Sequence, residues 1–490
     1  MTASQVCFTC KGRKKKCDKR MPRCSYCEQK NIACCYNYGL EVNLHPSFHS
    51  IKGAFDPTPL VFPLKNLQSD GWEASHGYKK SSTTLNQAIP IGPMLDLVTL
   101  DSTRSLEVMQ MIRASHQSID DISTRYFKGF HLWIPFLCPD RFREDLVRFQ
   151  SLPTAEFALL LLCMCLLTYD PPQNQSSPVG HDTLYLHAKT FFAQIHVLRR
   201  PSLHLIQAAI FISSYEYARG RPDSALASID TCARMAYKIG FDRKSEGLGW
   251  SEAWNTWWAI RIFERIFYCE TSLTGLPLIS SAPNEADLLP YELGDATCED
   301  RSELSYSVAP VKLMGVGCLG RAAQATYLLD RVFQTIKNTA TTDKISSLVD
   351  IDSELQRLLS ATMDRCHGYR GGHCGAVSIL IRALFLLHQH ILQLDTTSIG
   401  SQWREYSEAA LDTVVQMVLD IARSHRVYHG ANIDIISPAC NYVVRHTLQY
   451  FYEKRGGDSN AWFQDSDTLR RSLDKLNSRW PMEPGIFSDH

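Results

Sequence analysis

CFTCKGRKKKCDKRMPRCSYCEQKNIAC, residues 7–34, sets six cysteines as Cys7-x2-Cys10-x6-Cys17 and Cys24-x2-Cys27-x6-Cys34, two equal half-units joined by a six-residue spacer. A C-x2-C pair turns two thiolates onto one metal, and the x6 that follows holds a short helix before a third thiolate returns. Three ligands per half leave each metal one short of tetrahedral. If one sulfur from each half bridges both ions, six thiolates complete two four-coordinate Zn²⁺ sites, closed and structural, with no position open for catalysis. With 17 cysteines in 490 residues, six in this spacing are far too rare by chance, and chance is set aside. Single-zinc ribbons and fingers take four ligands in two pairs, which leaves Cys17 and Cys34 without a role. Cys35 adjoins Cys34 and offers an alternative last ligand; the symmetric x6 spacing favours Cys34.

The charge follows the cysteines. The whole chain is neutral, with 51 Lys and Arg against 51 Asp and Glu, yet residues 1–38 hold nine basic side chains against Asp18 and Glu28. Five of those cations, Lys11, Arg13, Lys14, Lys15 and Lys16, lie between the second and third cysteines. Six thiolates and two zinc ions leave the head at about +5, so its surface seeks phosphate. A solvated basic loop or a nuclear-import signal has the same composition. Phosphate contacts would supply salt-sensitive affinity and one or two side chains the sequence choice, since Arg and Lys suit guanine O6 and N7.

On these residues the head resembles the fungal binuclear zinc cluster transcription factors, the two-zinc, six-cysteine class of DNA-binding proteins. The resemblance spans Cys7–Cys34 and includes Asp18-Lys19 after the third cysteine and Pro22 in the spacer. It implies that Cys7 and Cys24 bridge the two zincs and that Cys10, Cys17, Cys27 and Cys34 are terminal. It further implies that Arg13 and Lys14 touch a CGG-type triplet of double-stranded DNA in the major groove, while Lys11, Lys16 and Lys19 hold phosphates. Gly12 departs from the larger residue usual there and loosens the short helix by up to about 1 kcal/mol.

Beyond the head, Pro46, Pro57, Pro59, Pro63, Pro90 and Pro93 fall among Ser, Thr, Asn and Gly, a linker composition. No heptad register holds for three repeats there, so the sequence leaves open a monomer on one half-site or a homodimer through the later helical part. From residue 119 the period is helical. Leu226, Ile229, Ala233, Ala236 and Ile239 recur at steps of three and four, Gly240 is placed to end their helix, and Gly220-Arg221-Pro222 breaks it from the helix before, over 203–219. Leu348, Ile351, Leu355, Leu358 and Met363, then Ile379 to Leu394 and Ala409 to Ile421, repeat the theme. This part also resembles the family, in its fungal-specific transcription factor (middle homology) domain. The residues are His131 to Pro135 with Phe142, Gln207 to Tyr215, Ala225 to Arg243, and Trp254 to Pro277 with Trp257-Trp258 and Glu264-Arg265.

The organisation read here is a zinc-cluster DNA-binding domain over 1–38, with two short helices and loops, and a flexible linker over 39–118. A large all-α regulatory domain of packed helical hairpins follows over 119–455, then a tail with a short helix over 456–490. The N-terminus does not read as a secretory signal, which argues against disulfides. The longest apolar run, Phe157 to Leu167, is too short for a bilayer, so no membrane partner is expected.

Weaker constellations compete for attention. Cys366, His367, His373 and Cys374 offer two ligand pairs around a Gly-rich turn, but adjacent ligands rarely reach one metal. His388 and His390 are two apart and point to different faces of a helix. Trp250, Trp254, Trp257 and Trp258 read as helix-packing aromatics before they read as a ligand pocket. Asp458, Trp462, Phe463, Asp465 and Asp467 form an acidic and aromatic tail suited to a coactivator, although Leu473 and Leu476 make an amphipathic helix the plainer reading. No nucleophile elbow, phosphate loop, dinucleotide fingerprint or metalloprotease motif occurs. The expectation is a nuclear, zinc-dependent, sequence-specific regulator of RNA polymerase II transcription, not an enzyme, serving a metabolic or secondary-metabolite gene cluster. A zinc-stabilised helical protein that senses a metabolite or binds a partner, without sequence-specific DNA binding, is the alternative.

Overall fold

Apolar stripes at three- and four-residue spacing fold into helices across the residues that the structure, a computed structural model, describes. These are residues 6, 10, 13–20, 24–30, 97–170, 179–243, 250–273, 275–291, 306–309, 316–337, 344–366, 373–394, 401–427, 433–454 and 460–480. The chain forms two compact units, Met1–Ala88 and Ile89–His490. The first contains α1 (Ser25–Gln29). The second runs α2 (Leu97–Ala114), α3 (Ile119–Lys128), α4 (Pro139–Ser151), α5 (Ala155–Thr168), α6 (His181–Leu198), α7 (Leu203–Ala218), α8 (Pro222–Ile239) and α9 (Trp250–Tyr268). It continues with α10 (Cys318–Lys337), α11 (Lys344–Cys366), α12 (Cys374–Gln393), α13 (Ser401–Val427), α14 (Ala439–Glu453) and α15 (Asn460–Arg479). Among the described residues there is no strand, only an isolated bridge between Leu288 and Ser307. The all-α reading therefore holds.

The hairpin expected around Gly220-Arg221-Pro222 is α7 and α8, packed on each other. Pro222 takes the first helical position, where its missing N–H costs nothing. Gly240 closes α8 at φ +81, with the Phe241 N–H reaching back to Ala236 O at 3.0 Å, a left-handed end that a glycine adopts without strain. Leu226, Ile229, Ala233 and Ala236 are buried. In α5 every residue but Glu156 is buried, and in α7 every residue from Leu205 to Ala218, so these two are core helices buried on all sides.

α12 is twenty residues long and apolar enough to cross a membrane by length and composition. It lies instead inside the unit, packed against α10, α11, α13 and α14, and carries the fully buried Arg382 at its centre. The helical unit also extends beyond the 119–455 range. Leu100, Val108 and Ile112 of α2 are buried, as are Leu469 and Leu476 of α15. α2 packs on α5, and α15 on α13 and α14.

The two ends of the unit are joined by charge. Asp434 takes Arg125 Nε at 2.5 Å and Arg479 Nε at 2.5 Å, while Arg479 Nη2 donates to Leu167 O at 2.6 Å at the end of α5. Burial pushes the Asp434 carboxyl up, and the two arginines outweigh it, holding it below the usual carboxylate value. Gly129 makes this approach feasible: a Cβ there would stand 2.7 Å from Asp434 Cβ and 2.9 Å from Arg125 O. Gly129→Ala is expected to cost about 1–3 kcal/mol, the usual range for overpacking, read as a lowered denaturant midpoint for the helical unit. A midpoint unchanged from wild type would show that the junction yields freely.

Candidate metal centre and nucleic-acid interface

In the head, local backbone chemistry brings the thiols together. Cys24 caps α1, its sulfur accepting the Cys27 N–H at 3.5 Å. At the other half, the Lys15 N–H bonds Cys10 O at 2.9 Å and Lys14 stands at φ +51, the left-handed residue and six-to-one bond that close a helical turn. Cys10 Sγ then lies 3.6 Å from Cys24 Sγ and 3.9 Å from Cys27 Sγ. The ligand atoms of Cys10, Cys17 and Cys24 all fall within 4.8 Å of one another. A tetrahedron with Zn–S of about 2.3 Å has S···S edges of about 3.8 Å, so the spacing fits zinc. Cys10, Cys24 and Cys27 are fully buried and none of the described head cysteines is in a disulfide. Among the described residues of the head the buried side chains are these thiols, and a fold built on so small a core gains its stability from metal.

Burial pushes the Cys24 thiol up, but hydrogen bonds from the Cys27 N–H and from the thiols of Cys27, Cys10 and Cys17 outweigh it, leaving its pKa below the ordinary value. That is the direction a metal-binding thiolate requires. Cys7 and Cys34, the other two expected ligands, lie outside the described residues, as do Cys35, Lys11 and Gly12.

Asp18 joins the half-units. Its carboxylate accepts the Ser25 N–H at 3.0 Å, the Ser25 hydroxyl at 2.5 Å and the Arg20 N–H at 3.5 Å. The Ser25 hydroxyl, donating to it, holds the Asp18 carboxyl below its usual value. The sequence drew attention to Asp18 by its place after the third ligand; only the fold supplies its partner, seven positions on and just past Cys24. Beside this brace, Arg13, Lys14, Lys15 and Lys16 are exposed and Lys19 is half-buried. The thiols thus hold one side of the loop while consecutive cations point to water, a surface that can meet a polyanion without unfolding.

The helical unit holds the remaining polar clusters. A cavity of about 360 Å³ among α6, α7 and α8 is lined by Phe192, Ala209 and Ile212 and by the buried Glu216. Glu216 accepts from Tyr185 OH at 2.7 Å, Ser228 Oγ at 2.6 Å and Lys189 Nζ at 2.7 Å. Trp254 and Trp258 hold the chain after α9, donating to Leu289 O at 3.3 Å and Leu288 O at 3.0 Å, which makes them packing residues. His388 is a core residue, its ring 3.3 Å from both Asp352 and Ser407. Cys366 and His367 lie where side chains are not described. Among the described residues the only gathering of three or more metal-ligating side chains is Cys10, Cys17 and Cys24.

Residues 5–39 match the fungal Zn(2)-Cys(6) binuclear cluster domain, and residues 124–270 match the fungal specific transcription factor domain. The chain is similar to transcription factor BOA15 of Botryotinia fuckeliana (strain B05.10), 26% identical over 126 residues, covering 26% of this chain and 69% of that one. It is also similar to the depudecin biosynthesis cluster-specific transcription activator DEP6 of Fusarium langsethiae, 23% identical over 439 residues, covering 69% of this chain and 71% of that one.

Proposed function

We propose that this chain, which joins the zinc-cluster domain and the regulatory domain of fungal transcription factors, is a nuclear, sequence-specific regulator of RNA polymerase II transcription that reads CGG-type triplets. The observation that carries the reading is the convergence of Cys10, Cys17, Cys24 and Cys27 directly beside the exposed cations Arg13 to Lys16. With Cys7 and Cys34, these thiols hold two zinc ions. Cys24 serves as one bridge, as its contacts with Cys10 and Cys17 of the first half and Cys27 of the second support; Cys7 is the other. The metals supply structure and no chemistry. Arg13 and Lys14, at the closed turn, reach base edges; Lys11, Lys16 and Lys19 hold phosphates.

The helical unit regulates, and the cavity beside Glu216 has the size of a small-molecule site. A cluster-specific activator among the similar proteins supports a role in controlling a biosynthetic gene cluster. Selection of random duplex DNA by the full chain at near-physiological salt, with and without a chelator, tests the reading. Enrichment of CGG-like triplets that chelation abolishes is expected. Salt-sensitive binding without enrichment would support instead a helical sensor or partner-binding protein with a basic, zinc-stabilised head.

The contact roles have their own test. Arg13→Ala and Lys14→Ala are each expected to cost about 1–3 kcal/mol on the selected site and to relax its sequence, whereas Lys11→Ala weakens all sequences alike. Titrations on selected and random duplexes separate the cases. Equal losses on both duplexes for all three variants would remove the base-reading roles.

A further inference from the structure

A second pair of thiols meets in the helical unit, far from the head in sequence. Cys374 is the first residue of α12 and Cys440 the second of α14, and their side chains are in hydrogen-bond contact. Ser437 bridges the same junction: its N–H donates to Cys374 Sγ at 3.4 Å, and its carbonyl accepts the Cys440 N–H at 2.9 Å. Cys374 S–H in turn lies 3.5 Å from Ile435 O. Both thiols are half-buried and neither is in a disulfide. Among the described residues no third His, Cys, Asp or Glu gathers with them as a metal would require. Two thiols in contact at the starts of two helices, tied to one another through Ser437, form a dithiol pair and not a packing accident.

We propose that Cys374 and Cys440 are a reversible redox-modification site, joined as a disulfide by hydrogen peroxide or an organic hydroperoxide. Cys374 is the attacking thiol. It receives hydrogen bonds from Cys440 and Ser437, and the start of α12 adds the partial positive charge of unsatisfied N–H groups. The hydrogen bond from Cys440 holds the Cys374 thiol below its ordinary value against the effect of burial. Two cysteines elsewhere in the unit go the opposite way: burial pushes Cys165 up to about 11 and Cys269 up to about 12, which leaves them inert.

In the first step the Cys374 thiolate attacks one peroxide oxygen, the O–O bond breaks, and the leaving hydroxide or alkoxide takes a proton, giving a sulfenic acid. In the second, Cys440 sulfur attacks Cys374 sulfur, the S–O bond breaks, and hydroxide leaves with the Cys440 proton as water. Two thiols are oxidised and one peroxide reduced. The product pins α12 to α14, and a thiol reductant restores the pair by exchange.

The test uses the full zinc-loaded chain. It is titrated with hydrogen peroxide, blocked with N-ethylmaleimide and digested without reductant, while zinc release from the head is followed with a chromogenic chelator. The expected result is a Cys374–Cys440 cross-linked peptide that forms before zinc is released and disappears with dithiothreitol. In Cys440→Ser the cross-link should be lost and Cys374 trapped by dimedone as a sulfenic acid. Recovery of both residues as maleimide adducts at peroxide levels that already release the head zinc would overturn the proposal. So would a cross-link of Cys374 to any other cysteine in the wild-type chain.

Discussion

A Cys24→Ala chain is expected to lose zinc and DNA binding together while keeping the helical circular dichroism of the second unit. The sulfur of Cys24 touches thiols from both halves of the head, so with Cys24 in the bridging role proposed for it, its removal leaves each metal with an incomplete tetrahedron. Among the described residues of the head the fully buried ones are Cys10, Cys24 and Cys27, with no apolar side chain beside them to fall back on. For a domain of this kind the metal-binding free energy, about 10–16 kcal/mol for a structural zinc, is also its folding free energy. Losing a bridge therefore unfolds the head outright and does not merely loosen one turn. Metal analysis on the purified chain and a titration on the selected duplex check this. A normal zinc-to-protein ratio with unaltered DNA affinity would exclude Cys24 from the ligand set. Cys35→Ala is the matched control: with Cys34 as last ligand, it should leave both measurements unchanged.

That a zinc head could be read from residues 7–34 has a plain cause. Ligand spacing is a covalent property, and x2 and x6 intervals constrain which thiols can share an ion before any fold is known. Helix α8 was legible for a similar reason, because a stripe at steps of three and four, a proline at one end and a glycine at the other are all local signals. What could not be read depends on contacts distant in sequence. Nothing local to α2 announces that Val108 and Ile112 pack against α5, so a Pro-rich approach made the whole of 39–118 look like linker. Asp434 shows the same limit, since an acidic residue in a short turn gives no sign of arginines more than three hundred positions upstream and forty-five downstream. Cys374 drew notice only as a doubtful metal ligand, because its partner Cys440 stands beyond the next helix.

Arg265→Met is expected to be the most damaging single change in the helical unit. The Arg265 side chain is 1% exposed, on α9, and its guanidinium donates to Glu264 Oε2 at 2.7 Å, Asp330 Oδ2 at 3.0 Å and Ser280 O at 2.9 Å, and to the Ser280 hydroxyl. Glu264 in turn accepts the Ile279 and Ser280 N–H groups at 2.5 and 3.2 Å. One cation thus joins α9, α10 and the segment after α9. Methionine fills much of the volume but leaves two buried carboxylates without their counter-charge, a loss of about 3–5 kcal/mol. The damage should depend on pH in a defined direction. Burial already holds the Asp330 carboxyl above its usual value even with Arg265 present. Asp230, which faces Glu264, is pushed up to about 6 by burial first and by the Glu264 charge second. A carboxyl with a raised folded pKa binds a proton in the native state before it does in the unfolded chain, where the value is about 3.9. Stability therefore falls as pH rises through that window and returns as pH drops back through it. Removing Arg265 should raise Asp330 further and bring it into the window. The gap in melting temperature between Arg265→Met and wild type is accordingly expected to be wide at pH 8 and narrower at pH 5.5. A gap equally wide at both values would mean that lost packing, and not unpaired buried charge, carries the cost.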